Sequence, residues 1–167
     1  MMPDNMIIVK MGEMVVVNGI KESDVILKTT LGSCIGIVLT DKIKNISGLA
    51  HIMLPKMLRN DPKIGKYADT AIPAMLTEMK SKGSRITNIK AYIVGGASMF
   101  GKSNSLLNVG EKNYIVVREI LEKHRIPIIY EDTGGTYGRT LIYYHPSGNI
   151  EVKTLNALSR SNAREDN

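Results

Sequence analysis

Thr29-Thr30-Leu31-Gly32-Ser33-Cys34-Ile35-Gly36-Ile37-Val38 carries the only cysteine of the chain, and Gly48-Leu49-Ala50-His51-Ile52-Met53-Leu54-Pro55 places a histidine seventeen positions after it. In the first stretch a polar turn with a glycine delivers the thiol to the start of a short apolar run with strand character. The second is a further apolar run, ended by its proline. Paired as a hairpin through the polar loop 41–47, these strands would set thiol and imidazole side by side. That pairing is the minimal machinery of nucleophilic acyl chemistry, and a sole cysteine with a histidine elsewhere is a candidate nucleophile. The same residues also suit an ordinary core, because free cysteine is among the most buried residue types and behaves as a small hydrophobe. Spacing alone leaves both readings open.

The composition narrows the class. At 167 residues the chain is long enough for one domain with a core of its own, and 43% hydrophobic with 23% charged content is that of a globular protein. A single cysteine forms no internal disulfide, so an oxidising compartment is not required. The first residues, Met1-Met2-Pro3-Asp4-Asn5, lack the basic and apolar regions of a secretory signal. No apolar run reaches the roughly 18 residues of a membrane helix. The expectation is a cytoplasmic protein without membrane insertion. The net charge of +6 comes from 22 basic and 16 acidic residues. With one Phe, no Trp and scattered lysines, it points to an acidic protein partner and away from nucleic acid.

Along the chain, Met6 to Val9, Met14 to Val17, Val25 to Leu27, Cys34 to Thr40 and Gly48 to Leu54 read as strands. Ala68, Ala71, Ile72, Met75, Leu76 and Met79 then fall on one face of a helix that Gly83 closes, with Pro73 expected to kink it or mark a tight first turn. Ile89 to Val94 is a strand leading into the small-residue loop 95–105, which lacks the spacing of either nucleotide-binding glycine motif. Asn108-Val109-Gly110-Glu111 has capping-box spacing and opens a second helix ending near His124, with Tyr114, Val117, Ile120 and Leu121 as its buried stripe. Ile126 to Tyr130 is a strand, and Leu141 to Tyr144 with Ile150 to Leu155 form a hairpin. Strands first, then helices alternating with strands, make an α+β layered domain over 1–157, followed by a polar tail, 158–167. Three histidines and one cysteine in separate elements match no structural zinc spacing, so no metal is expected.

Taken together, Leu31-Gly32-Ser33-Cys34, Ala50-His51-Ile52-Met53-Leu54-Pro55, Lys66-Tyr67-Ala68-Asp69-Thr70-Ala71, Gly95-Gly96-Ala97-Ser98-Met99-Phe100, Asn108-Val109-Gly110 and Asp132-Thr133-Gly134-Gly135 resemble the CheD family of chemotaxis proteins. The six matches occur in the family's order and span nearly the whole chain. The resemblance implies packed mixed β-sheets flanked by helices, similar to the catalytic domain of cytotoxic-necrotising-factor toxins. It implies a protein-glutamine deamidase acting on methyl-accepting chemoreceptors through a thioester, with Cys34 as nucleophile, His51 as general base and no cofactor. It further implies a CheC-type phosphatase of CheY as partner, which leaves open a non-catalytic adaptor role. Receptor glutamyl methylesterase activity would use the same nucleophile.

The family also has a threonine before the cysteine that orients the histidine. Six positions before Cys34, where members with a longer turn carry it, this chain has Lys28. Thr29 is the better counterpart and Thr30 the fallback, with Ser33 and Ser98 as possible members of the site loops.

Overall fold

A computed structural model of the chain describes residues 4–99 and 108–155. The end of the small-residue loop, Phe100 to Ser105, and the polar tail 158–167 lie outside the described residues. Nine strands and two α-helices follow in the order β1 (Met6–Ile8), β2 (Met14–Asn18), β3 (Val25–Leu31), β4 (Ile35–Asp41), β5 (Ile46–Ile52), α1 (Ala68–Ser81), β6 (Ile89–Gly95), α2 (Val109–Lys123), β7 (Ile128–Thr133), β8 (Gly138–His145) and β9 (Ile150–Leu155). They form two sheets, one of order β1-β3-β8-β9 and one of order β2-β5-β4-β6-β7. Each is mixed: β1 with β3 and β6 with β7 are parallel, and the other pairs are antiparallel. The architecture is therefore α+β with packed mixed sheets, as expected.

β4 and β5 are buried along their whole length because both faces are covered. On one face Ile35, Ile37, Leu39, Ala50 and Ile52 pack against Ala71, Ile72, Met75 and Met79 of α1 and Val117 and Leu121 of α2. On the other, Val38, Leu49, Tyr92 and Val94 meet Leu27, Leu31, Leu141 and Tyr143 of the four-stranded sheet. The layers thus run helices, five-stranded sheet, four-stranded sheet. Both helices flank the same sheet, and the far face of the other carries the exposed Thr30, Glu151 and Lys153. Among the described residues no helix is long and apolar enough to cross a membrane.

The six positions predicted to face inward on α1 are the six that are buried. The helix runs unbroken through Pro73, which loses only one intrahelical hydrogen bond near its start. Its end is closed by Ser84 and Gly83, whose N–H groups donate to the carbonyls of Met79 and Lys80. The hairpin of β8 and β9 is as expected. One boundary differs with consequence. The sequence predicts a strand over Val25 to Leu27 and a polar, glycine-bearing turn ahead of Cys34, but β3 continues to Leu31 because Thr29, Thr30 and Leu31 pair with Leu141, Thr140 and Arg139 of β8. The turn is only Gly32-Ser33-Cys34.

Candidate active site

The β4–β5 pairing sets Gly36 opposite His51. Residues directly opposite share a face, and Cys34 lies two positions before Gly36, so thiol and imidazole project from the same side as diagonal neighbours. That side faces the other sheet. Cys34 is half-buried against its apolar cluster, while His51 is 3% exposed. The backbone of His51 is held by the 10–13 turn, accepting from the Gly12 N–H at 3.0 Å and donating to the Glu13 carbonyl at 2.9 Å.

β3 brings a threonine to the imidazole. Leu27, Thr29 and Leu31 alternate inward and Thr30 points outward. Thr29 Oγ1 lies 2.6 Å from His51 Nδ1 and donates to the Val9 carbonyl at 2.6 Å. A hydroxyl has one hydrogen. Given to Val9, it leaves Thr29 as an acceptor, so Nδ1 carries the ring proton and Nε2 is the basic nitrogen. Thr30 takes no part, its hydroxyl lying 3.4 Å from that of Thr140 on the outer face.

Burial acts on both ionisable partners. It pushes the Cys34 thiol up and the His51 imidazolium down, the Val9 carbonyl partly offsetting the latter. Both directions favour a neutral thiol and a neutral imidazole, so a thiolate on this face would form only by loss of its proton to a base.

The loops around the thiol are fixed by backbone contacts. The Cys34 carbonyl accepts from Gly96 N–H at 2.8 Å, and Gly32 accepts from Ala97 at 3.0 Å. Gly95 has φ +111°, and a side chain there would collide with the Cys34 carbonyl. Ser98 donates its N–H to Gly135 at 2.8 Å, and its hydroxyl accepts from Asn108 Nδ2 at 3.2 Å. It therefore belongs to the framework of the neighbouring loop. Ser33 enters through its carbonyl, which accepts from Asn113 Nδ2 at 3.1 Å.

Two residues near the thiol were not singled out in the sequence. Asn113 sits on the buried face of α2, fully enclosed. Arg139 on β8 is 1% exposed, pairs with Asp132 at 3.0 Å, stacks on Tyr137 and reaches the Gly95 carbonyl at 3.5 Å. A polar residue among apolar stripe positions was the available signal for Asn113. For Arg139, in the strand after a glycine turn, the sequence offers none.

The CheD chemotactic sensory transduction family model matches residues 53–154. A protein of Caldanaerobacter subterraneus subsp. tengcongensis described as "Probable chemoreceptor glutamine deamidase CheD" is 44% identical over 140 residues, 81% of this chain and 86% of its own length. A protein of Methanococcus vannielii with the same description is 42% identical over 151 residues, 90% and 96% of the two chains. A solved structure, the hypothetical protein YfiH of Bacillus licheniformis, aligns with TM-score 0.42 at 16% identity over 65% of this chain and 46% of its own, too slight a likeness to carry an argument. By its match to that family over most of its described length, and by relatives above 40% identity along nearly their whole sequences, the chain belongs to the CheD family.

Proposed function

We propose that this chain is a cysteine-dependent amidohydrolase that converts glutamine side chains of methyl-accepting chemoreceptors to glutamate. The observation that carries the reading is the Thr29–His51 hydrogen bond, which leaves Nε2 of His51 unprotonated on the face that holds the only thiol of the chain. Nε2 takes the proton of Cys34, and the sulfur adds to the carboxamide carbon of the glutamine. The imidazolium returns that proton to the nitrogen as the C–N bond breaks, and ammonia leaves. The resulting thioester is attacked by water whose proton goes to Nε2. Collapse expels the thiolate, which is reprotonated, and frees the carboxylate. Every proton is carried by His51, so the cycle closes without a cofactor.

A helical substrate has a place to lie. Leu54, Pro55 and Leu58, which follow the histidine strand, form with Ile115 and Val116 of α2 an apolar groove of about 380 Å³ flanked by Lys56 and Lys112. Apolar anchors and acidic neighbours on a receptor helix would complement it. The same groove suits a CheC-type phosphatase, an interaction that does not use the thiol. Both partners are cytoplasmic-side proteins in this reading.

The test is release of ammonia from purified receptor cytoplasmic segments. Wild type releases it, while Cys34→Ala and His51→Ala release none and still bind the segments. Undiminished release by Cys34→Ala overturns the reading. A Cys34→Ala variant that stimulates a CheC-type phosphatase as well as wild type separates the adaptor role from catalysis.

A further inference from the structure

Asn113 is buried completely, yet it lies on the helix that covers the apolar outer face of the five-stranded sheet. Its Nδ2 donates to the carbonyls of Ser33 and Met53, each at 3.1 Å. Two carbonyls accept and do not donate, so the amide orientation is dictated by them. Its Oδ1 is enclosed and, among the described residues, accepts no hydrogen bond. An orphaned buried acceptor is a cost that an apolar residue at this position would avoid. The two carbonyls it holds belong to the residue just before Cys34 and the residue two after His51. One side chain thus spans the ends of both strands that carry the site.

The consequence lies in the Ser33–Cys34 peptide. In a trans peptide the C=O and N–H point in opposite directions. The Ser33 carbonyl is directed to α2, on one face of the sheet, so the Cys34 N–H is directed toward the other, where the thiol and His51 project. Among the described residues that N–H donates to no protein group. An N–H at the nucleophile, unpaired among the described residues and held on its face, is what a developing oxyanion requires.

We infer that Asn113 is a positioning residue for deamidation: by fixing the Ser33 carbonyl it aims the Cys34 N–H at the oxygen of the tetrahedral intermediate. This rests on the amidohydrolase reading above.

The experiment compares deamidation with alkylation of Cys34 by iodoacetamide, a displacement that develops no oxyanion and, with one cysteine in the chain, reports on one site. Asn113→Leu is expected to lower kcat for deamidation about 10²-fold, with KM within a factor of about two and the alkylation rate unchanged. Asn113→Asp keeps the shape and is read in the same way; its carboxyl can donate once protonated, so its ratio of deamidation to alkylation should rise as pH falls. Unchanged kcat, a change confined to KM, or parallel loss of deamidation and alkylation overturns the inference. Failure of both variants to fold also overturns it, since the role is then structural. Wild type that alkylates normally but releases no ammonia overturns the underlying reading instead.

Discussion

The hydroxyl of Thr29 has two partners and one proton, and its gift of that proton to Val9 decides the tautomer of His51. Thr29→Val keeps the volume and removes the acceptor, so the imidazole loses its orientation; kcat is expected to fall about 10²-fold, whereas Thr30→Val on the outer face leaves it unchanged. Equal effects of the two substitutions, measured by ammonia release, would contradict the assignment. The pH profile follows from burial. With the imidazolium disfavoured, the acid limb of kcat/KM is expected below the ordinary histidine value of about 6.5; with the thiolate disfavoured, the alkaline limb lies above the ordinary thiol value of about 8.5. The plateau between them is wider than for the free groups, and an acid limb above 6.5 would show that His51 is not shielded as described. That Thr29 and not Thr30 faces the imidazole was legible in principle. Leu27, Thr29 and Leu31 alternate with Lys28 and Thr30, a period of two that reads as a strand once the polar residues are not taken for a turn.

At the scale of elements, the site is assembled by α2 pressing on the loop after β6. Gly110, in its first turn, has no room for a side chain, because a Cβ would run into the carbonyls of Gly96 and Ala97. Gly110→Ala is expected to push the helix off that loop and destabilise the protein by about 1–3 kcal/mol. Denaturant unfolding measures the loss, and a midpoint equal to wild type would show the contact to be soft. The start of this helix was visible in sequence as Asn108 and Glu111. The Asn108 side chain accepts from the Glu111 N–H at 2.9 Å, and its Nδ2 donates to the Glu111 carboxylate at 2.9 Å. The stripe of α1 was equally legible, since hydrophobic periodicity is a local property. What periodicity could not give is which sheet each strand joins. β1 and β2 are separated by one short turn yet belong to different sheets, and it is this crossing that brings Val9 to Thr29 and Glu13 to His51.

For the whole molecule, two buried histidines link stability to pH. Burial lowers the pKa of His51, and of His145, which lies 2.8 Å from Ser47 Oγ and 3.0 Å from the Gly19 carbonyl. Their folded pKa values lie below the unfolded value of about 6.5, so as pH falls through that value the unfolded chain binds protons that the folded chain does not, and stability decreases. Asp41 works in the same direction lower down. Burial raises its pKa, but donors from Ser84, Lys44, Arg85 and Asn88 outweigh that and hold it down, so its contribution is present above the ordinary carboxylate value and is lost as pH falls through the folded one. The thermal midpoint is expected to decline from pH 7 to pH 5, less in His145→Gln if that variant remains folded; a rising midpoint would mean that these imidazoles are charged in the folded protein. In the proposed reaction one thiol, served by one imidazole, turns receptor glutamine into glutamate. Mass spectrometry of receptor helices incubated with the protein tests it most directly. Wild type should add about one dalton at particular glutamines, the mass difference between amide and acid, and Cys34→Ala should add none. Receptor helices left unchanged by wild type, or shifted equally by Cys34→Ala, would contradict it.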